Sequence, residues 1–204
     1  DKYGVPKIAY VNKMDRVGAD FFAVVEDIKK KLGAKPVPIC IPIGAEDKFE
    51  GIVDILNMKA IYYDSEGKEL VNYEEKEVPA NLVEEAKKWR AAMIESAAEF
   101  DDALMQKYFD NPESITDEEV IAAIRKGTIS MDIVPMCCGS SFKNKGVQFL
   151  LDAVVRYLPS PLDRGNVKGI NPKTEEDDER KPSVSEPFCG LVFKIATDPF
   201  VGRL

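Results

Sequence analysis

Asn12, Lys13 and Asp15 follow directly on the apolar run 8–11, and Cys138-Gly139-Ser140-Ser141-Phe142-Lys143 follows directly on a second apolar run, 133–137. A carboxylate such as Asp15 suits the edge of guanine, because it accepts from both N1–H and the 2-amino group, whereas adenine carries an acceptor at N1 and no amino group beside it. Adenine would leave the carboxylate desolvated and unpaired, and a site built to bond a group its competitor lacks discriminates by roughly 10⁴ or more. Asn12 suits a base edge and also the tying together of neighbouring loops, and the apolar stem of Lys13 suits a ring plane. Four residues make a weak motif, and Asn-Lys-x-Asp by itself fits an ordinary strand-to-turn junction equally well. The second loop shifts that balance. Its backbone N–H groups would meet a base oxygen, so Ser140, Ser141 and Phe142 join Asn12, Lys13 and Asp15 as a candidate guanine pocket.

For the two loops to meet, both apolar runs must be strands of one parallel sheet with the loops at its carboxyl edge, where open α/β sheets hold their ligands. Residues 19–32 read as a helix, with Phe22, Val25, Ile28 and Leu32 on one face and Gly33 as a stop signal. Residues 37–43 read as one buried strand of the same sheet, near its edge because Pro38 and Pro42 interrupt it. From 44 to 132 the pattern changes. Segments 51–56, 59–63 and 70–78 read as short antiparallel strands around a turn at Asp64-Ser65-Glu66-Gly67. One long helix is then predicted over 81–109, its apolar stripe formed by Leu82, Ala86, Trp89, Met93, Ala97, Phe100, Leu104 and Tyr108. Thr116-Asp117-Glu118-Glu119 predicts a capping box for a short helix through Arg125, closed by Gly127. Val147, Leu150, Leu151, Val154, Val155 and Leu158 define a last helix, ended by Pro159-Ser160-Pro161. Residues 163–186 are rich in Gly, Pro and charge, which predicts an exposed, partly disordered linker, and 188–196 alternate like a strand.

Composition narrows the chemistry. The 204 residues include no His, which removes every Ser-His-Asp arrangement, so Ser140 and Ser141 read as turn residues rather than nucleophiles. Cys40, Cys137, Cys138 and Cys189 lack C-x-x-C spacing and read as reduced, mostly buried thiols rather than a zinc site. A net charge of −8 disfavours direct binding to a phosphate backbone and favours a basic protein partner. No apolar run is long enough to span a membrane and the first residues resemble no signal peptide, which favours the cytoplasm.

The segments YVNKMDRVGADFF, PIGAEDKFEGIVDI, IESAAE, CGSSFKNKGVQFLLDAVVRYLPSP and EPFCGLVFKIATDPFVG together resemble translational GTPases of the bacterial elongation factor G family, and the likeness runs the length of the chain. The resemblance implies that Asn12, Lys13 and Asp15 match the family's guanine-specificity motif and that Ser140, Ser141 and Phe142 match its last guanine loop. Ser141 departs from the Ala usual in the family, at a position where the implied contact comes from the backbone N–H. The fold implied is α/β: the distal part of a P-loop GTPase domain, a parallel sheet with helices, carrying an inserted α+β subdomain, plus the start of a β-barrel domain. The expected organisation is 1–43 and 133–159 in the GTPase domain, 44–132 as the insert, 160–187 as a linker and 188–204 as the beginning of the barrel. No G-x-x-x-x-G-K-[ST] phosphate loop occurs in the chain, so it reads as an internal fragment. GTP or GDP with Mg²⁺ is expected in the parent protein, none bound to this piece, and no catalytic residue or hydrolysis in the piece alone.

The implied partners are the ribosome, including the stalk protein of its large subunit, with tRNA and mRNA engaged indirectly and no membrane. On a single helix at about 100° per residue, Glu95, Glu99 and Asp102 would fall within a roughly 60° arc opposite the apolar stripe. That makes them a candidate surface for the lysines of the stalk protein, set against the plainer reading of a solvated face. Two other readings stay open: a ribosome-recycling or ribosomal-protection relative of the same family, and a non-catalytic interaction module docking on the ribosomal stalk.

Overall fold

The computed structural model describes residues 2–64, 72–171, 173–190, 194–198, 200 and 202–203. The chain divides into two compact units, Asp1–Leu158 and Pro159–Leu204.

In the first unit, β1 (Ala9–Val11), β7 (Val134–Cys138) and β2 (Pro36–Pro38) form a parallel sheet in the order β1-β7-β2. Register pairs Ala9 with Met136, Tyr10 with Cys137 and Val11 with Cys138, so both chemistry-bearing loops leave the same carboxyl edge. The central strand contains Pro135, which lacks an N–H. Val134 N–H donates to Lys35 O on the β2 side, so Pro135 faces the β1 side, where pairing starts only one residue later, at Met136. No ladder bond is lost there. Helix α1 (Phe21–Leu32) joins β1 to β2; the Asp20 carboxylate accepts from Ala23 N–H and Gly33 ends the helix in the left-handed region at φ 60°. Its Phe21 and Val25 are fully buried, each contributing about 1.5–3 kcal/mol of hydrophobic stabilisation.

The single strand expected over 37–43 is divided between two sheets. Residues Pro36–Pro38 pair with β7, while β3 (Cys40–Ile43) turns away to become the edge of an antiparallel sheet, β3-β4-β5-β6, with β4 (Gly51–Asp54), β5 (Lys59–Asp64) and β6 (Asn72–Glu77). Ile39, whose N–H still bonds Met136 O, is the last residue tied to the parallel sheet. The turn expected at Asp64-Ser65-Glu66-Gly67 lies, past Asp64, outside the described residues.

The one helix expected over 81–109 is two. Helix α2 (Val83–Ala98) stops at Glu99, and α3 (Asp102–Asp110) starts from Asp101, whose carboxylate accepts from Leu104 N–H at 2.9 Å. An Asp offers the backbone a side-chain acceptor in place of a helical carbonyl, and here that competition wins. The apolar stripe nonetheless faces inward on both sides of the break, with Ala86, Met93, Ala97 and Leu104 buried. Helix α4 (Asp117–Ile129) carries the predicted capping box, Thr116 with Glu119, but runs past Gly127. Gly127 is a packing residue: a Cβ there would come within 2.7–2.9 Å of the Phe100 ring. The last helix, α5 (Val147–Tyr157), buries Phe149, Ala153 and Tyr157, while Leu151, Val154 and Val155, three of the apolar residues that define it in the sequence, are exposed. Cys40, Cys137 and Cys138 are buried thiols and Cys189 is exposed.

Within the segment expected to be an exposed, partly disordered linker, the second unit has a hairpin, β8 (Val167–Ile170) against β9 (Asp177–Arg180), which takes up part of the acidic run 175–179. Of the strand expected over 188–196, residues 191–193 lie outside the described residues and the rest have no strand pairing. A short ladder joins β10 (Thr197–Asp198) to β11 (Gly202–Arg203).

Candidate functional site

At the carboxyl edge of the parallel sheet the backbone crosses from strand to strand before either loop turns away. Gly139 N–H donates to Val11 O at 3.0 Å and Met14 N–H donates to Gly139 O at 3.1 Å. These two bonds continue the β1–β7 ladder beyond the strands and fix Lys13 and Asp15 on either side of Met14, whose side chain is buried. Asn12 then fastens the loops together. Its Oδ1 accepts from Lys13 N–H at 2.8 Å, Ser141 N–H at 3.0 Å and Ser141 Oγ at 3.1 Å. Two N–H donors facing one amide atom identify it as the oxygen, which leaves the Asn12 amino group as the remaining donor.

The Asp15 side chain is 6% exposed, with Lys143 Nζ 3.6 Å from Oδ2. A hydrogen bond from the Ser140 hydroxyl, aided by its own backbone N–H and by Lys143 and Arg16, holds the carboxyl below the usual carboxylate range against partial desolvation. It is therefore an anion and a pure acceptor at neutral pH. Ser140 is itself buried, and its Oγ accepts from Lys143 N–H at 3.4 Å. Tyr10 braces the loop from below, its hydroxyl donating to Lys145 O at 3.2 Å; burial pushes the phenol up to about 12, so it stays protonated. Gly139 has no room for a side chain: a Cβ would sit 2.2 Å from both Lys145 O and Tyr10 Oη. Lys13 takes a left-handed backbone at φ 63°, and its side chain and that of Phe142, 90% exposed, stand at the surface.

All six residues expected to read a base thus lie on two loops joined by hydrogen bonds. One detail differs from expectation, since the Ser141 N–H, expected to face a base oxygen, donates to Asn12 Oδ1. Tyr10 and Lys145 were not singled out by type or spacing, and Gly139 and Lys143 entered only as members of the second loop with no role of their own; the only signal was that all four stand beside residues that had one. The acidic trio does not share one helix. Glu95 lies on α2, Glu99 caps that helix with both carboxylate oxygens 2.6 Å from Lys35 Nζ, and Asp102 opens α3. The three side chains are exposed but form no single helical face.

Among the described residues no three acidic, Cys or His side chains converge on a metal-sized site. Also among the described residues, no helix is long and apolar enough to cross a membrane.

The family model for the Elongation factor Tu GTP binding domain matches residues 1–160. Elongation factor G of Amoebophilus asiaticus (strain 5a2) is 56% identical over 204 residues, which are all of this chain and 29% of that protein. A crystal structure from Thermus thermophilus superposes with a TM-score of 0.74 at 27% identity, over 99% of this chain and 27% of the other. The chain spans less than a third of the length of these relatives. With a family match over most of its residues and a parallel sheet that brings the two loops together, the chain belongs to the family of the Elongation factor Tu GTP binding domain.

Proposed function

We propose that these residues are the guanine-recognition part of a translation factor of the elongation factor G type, with an inserted subdomain in the middle of the segment and the first residues of a second domain at its end. In this reading the Asp15 carboxylate accepts from N1–H and the 2-amino group of guanine, and the Asn12 amino group donates to the base edge. The stem of Lys13 and the ring of Phe142 cover the ring faces, and the 140–142 loop closes the side nearest the base oxygen. GTP binding and hydrolysis, with Mg²⁺ and phosphate held by other segments, power movement of tRNA and mRNA through the ribosome in the cytoplasm. The segment alone carries no phosphate loop and hydrolyses no GTP. The observation that supports this reading best is the shared Asn12 Oδ1, which ties the Asp15 loop to the Ser141 loop at 3.0 Å and leaves a nearly buried, ionised carboxylate beside them.

The test is a change of base preference in a full-length protein carrying this segment. Asp15→Asn replaces an acceptor by an amide that donates to the oxygen xanthine carries at C2, so GDP binding weakens and XDP binding strengthens. The expected switch in the ratio of affinities is on the order of 10²-fold or more. A ratio left within about threefold of the parent's refutes the assignment.

A further inference from the structure

Residues 44–50 lead from the end of β3 into β4 as a tightly closed loop. Gly44 sits at φ 75° with a hypothetical Cβ only 2.0 Å from Lys48 O; Lys48 N–H bonds Ala45 O, Phe49 N–H bonds Glu46 O and Glu50 N–H bonds Ile43 O. At the far end Gly51 is held as closely, its hypothetical Cβ 2.0 Å from Ile61 O in the neighbouring strand. The loop is therefore continuous with the antiparallel sheet.

Three hydrogen bonds run from this loop to the two guanine loops. Glu46 N–H donates to Met14 O at 2.8 Å, the Glu46 carboxylate accepts from Gly18 N–H at 2.7 Å, and Lys145 Nζ donates to Phe49 O at 2.9 Å. Met14, the residue before Asp15, is thus gripped on both sides, by Gly139 through its N–H and by Glu46 through its carbonyl. Glu46 makes its two bonds from a left-handed backbone at φ 57°, unfavourable for a residue with a Cβ and sustained only where surrounding contacts over-determine it. Lys13 at φ 63° is in the same region, so a second residue with an unfavourable backbone stands on a loop that meets this one.

Resting on the guanine reading above, we infer that Glu46 and Lys145 are positioning residues that couple the antiparallel sheet to guanine affinity: whatever displaces that sheet pulls on Met14, Gly18 and Lys145 and loosens the base. Neither side chain touches the base in this scheme. A sheet that reports to both guanine loops through side chains gives a bound partner a route to change nucleotide release without contacting the nucleotide.

The test is the dissociation rate of a fluorescent GDP analogue from a full-length protein carrying this segment. Glu46→Ala removes a charge-assisted bond to Gly18 and is expected to speed dissociation about five- to tenfold. Glu46→Gln, whose amide oxygen still accepts from Gly18 N–H, returns the rate to within about twofold. That rescue is not expected of a residue serving only bulk stability. Lys145→Met keeps the apolar stem and loses the donor, giving a similar acceleration, and its effect in the Glu46→Ala background is smaller than in the parent because both act through residues 44–50. Should Glu46→Ala not fold, Lys145→Met decides the matter. Unchanged GDP dissociation in Lys145→Met, or in a folded Glu46→Ala, overturns the inference. If Asp15→Asn switches base preference while these variants release GDP at the parental rate, the base assignment stands and the coupling falls; if Asp15→Asn does nothing, the base assignment itself has failed.

Discussion

Gly139 is the point where the β1–β7 ladder hands over to the candidate base loop, and it tests whether that close approach is as tight as the structure has it. In Gly139→Ala the new methyl would lie 2.2 Å from the Lys145 carbonyl oxygen and 2.2 Å from the Tyr10 hydroxyl, both far inside contact distance. The backbone has little freedom to yield, because Gly139 N–H and O are bonded to Val11 and Met14 and Lys145 O also accepts from Ser140 N–H at 2.9 Å. Relief must come partly by separating Tyr10 Oη from Lys145 O, which forfeits a 3.2 Å hydrogen bond. That loss is about 1 kcal/mol, and forcing the remaining overlap into a packed site adds about 1–3 kcal/mol, so the substitution is expected to cost about 2–4 kcal/mol. Tyr10→Phe alone costs about 1 kcal/mol, since only the hydrogen bond goes. In the Tyr10→Phe background one of the two clashing atoms is gone, and Gly139→Ala should then cost about 1 kcal/mol less than it does in the parent. Urea unfolding followed by the fluorescence of Trp89 gives the stabilities of the parent, both single variants and the double variant; Trp89 is the only tryptophan and stacks on Phe22 at a centroid distance of 5.5 Å in the same unit. A cost for Gly139→Ala below about 0.5 kcal/mol, or one identical in the parent and the Tyr10→Phe background, refutes the packing argument.

Two further outcomes follow from the same structure. Burial lifts the Asp54 carboxyl above its ordinary value despite hydrogen bonds from Asn57 and Leu56, so the folded chain keeps that proton to higher pH than the unfolded chain does. Its contribution to stability is then greatest below the ordinary carboxylate pKa and declines as pH rises through the raised one. Asp54→Asn removes the decline; the difference in urea midpoint between parent and variant, measured from about pH 3 to about pH 7, should drift in the variant's favour as pH rises, and a constant difference contradicts the reasoning. On the proposed ribosomal role, Glu95 and Asp102 remain exposed acidic groups on two helices, whereas Glu99 already holds Lys35. Reversing Glu95 and Asp102 to Lys in a full-length protein should slow stalk-stimulated GTP turnover, most at low ionic strength, because complementary surface charge acts mainly on encounter rate. Equal stimulation of variant and parent across a salt series removes these two residues from that role.

Much of the site was legible because its signals are local. An apolar run ending in Asn-Lys-x-Asp places polar heads at a strand's carboxyl end, and a second run with the same kind of ending places Ser140 there too; the parallel pairing of Tyr10 with Cys137 then brings both together. Caps were equally legible. Gly33 and the Thr116–Glu119 box act within three or four residues of themselves, and both operate as their types require, while Asp20 caps a helix that starts two residues later than the periodicity predicts. The long helix and the Gly127 stop misled for a related reason. The apolar stripe runs unbroken across Asp101, so periodicity hid a cap that acts only three residues ahead, on Leu104, whereas the packing of Phe100 over Gly127 joins segments that no local window contains.

The sequence by itself determined which chemistry the chain can offer: a carboxylate, an amide and a loop of backbone donors at the ends of two buried strands, with no histidine and no phosphate loop. Tertiary structure alone decided what holds that chemistry in place. The passage from parallel to antiparallel sheet at Ile39, the grip of Glu46 on Gly18 across 28 residues, of Lys145 on Phe49 across 96 and of Tyr10 on Lys145 across 135 leave no periodic trace. A hydrogen bond between distant segments needs only one donor and one acceptor of common type, and their meeting is set by how two sheets pack, which no window of neighbouring residues encodes.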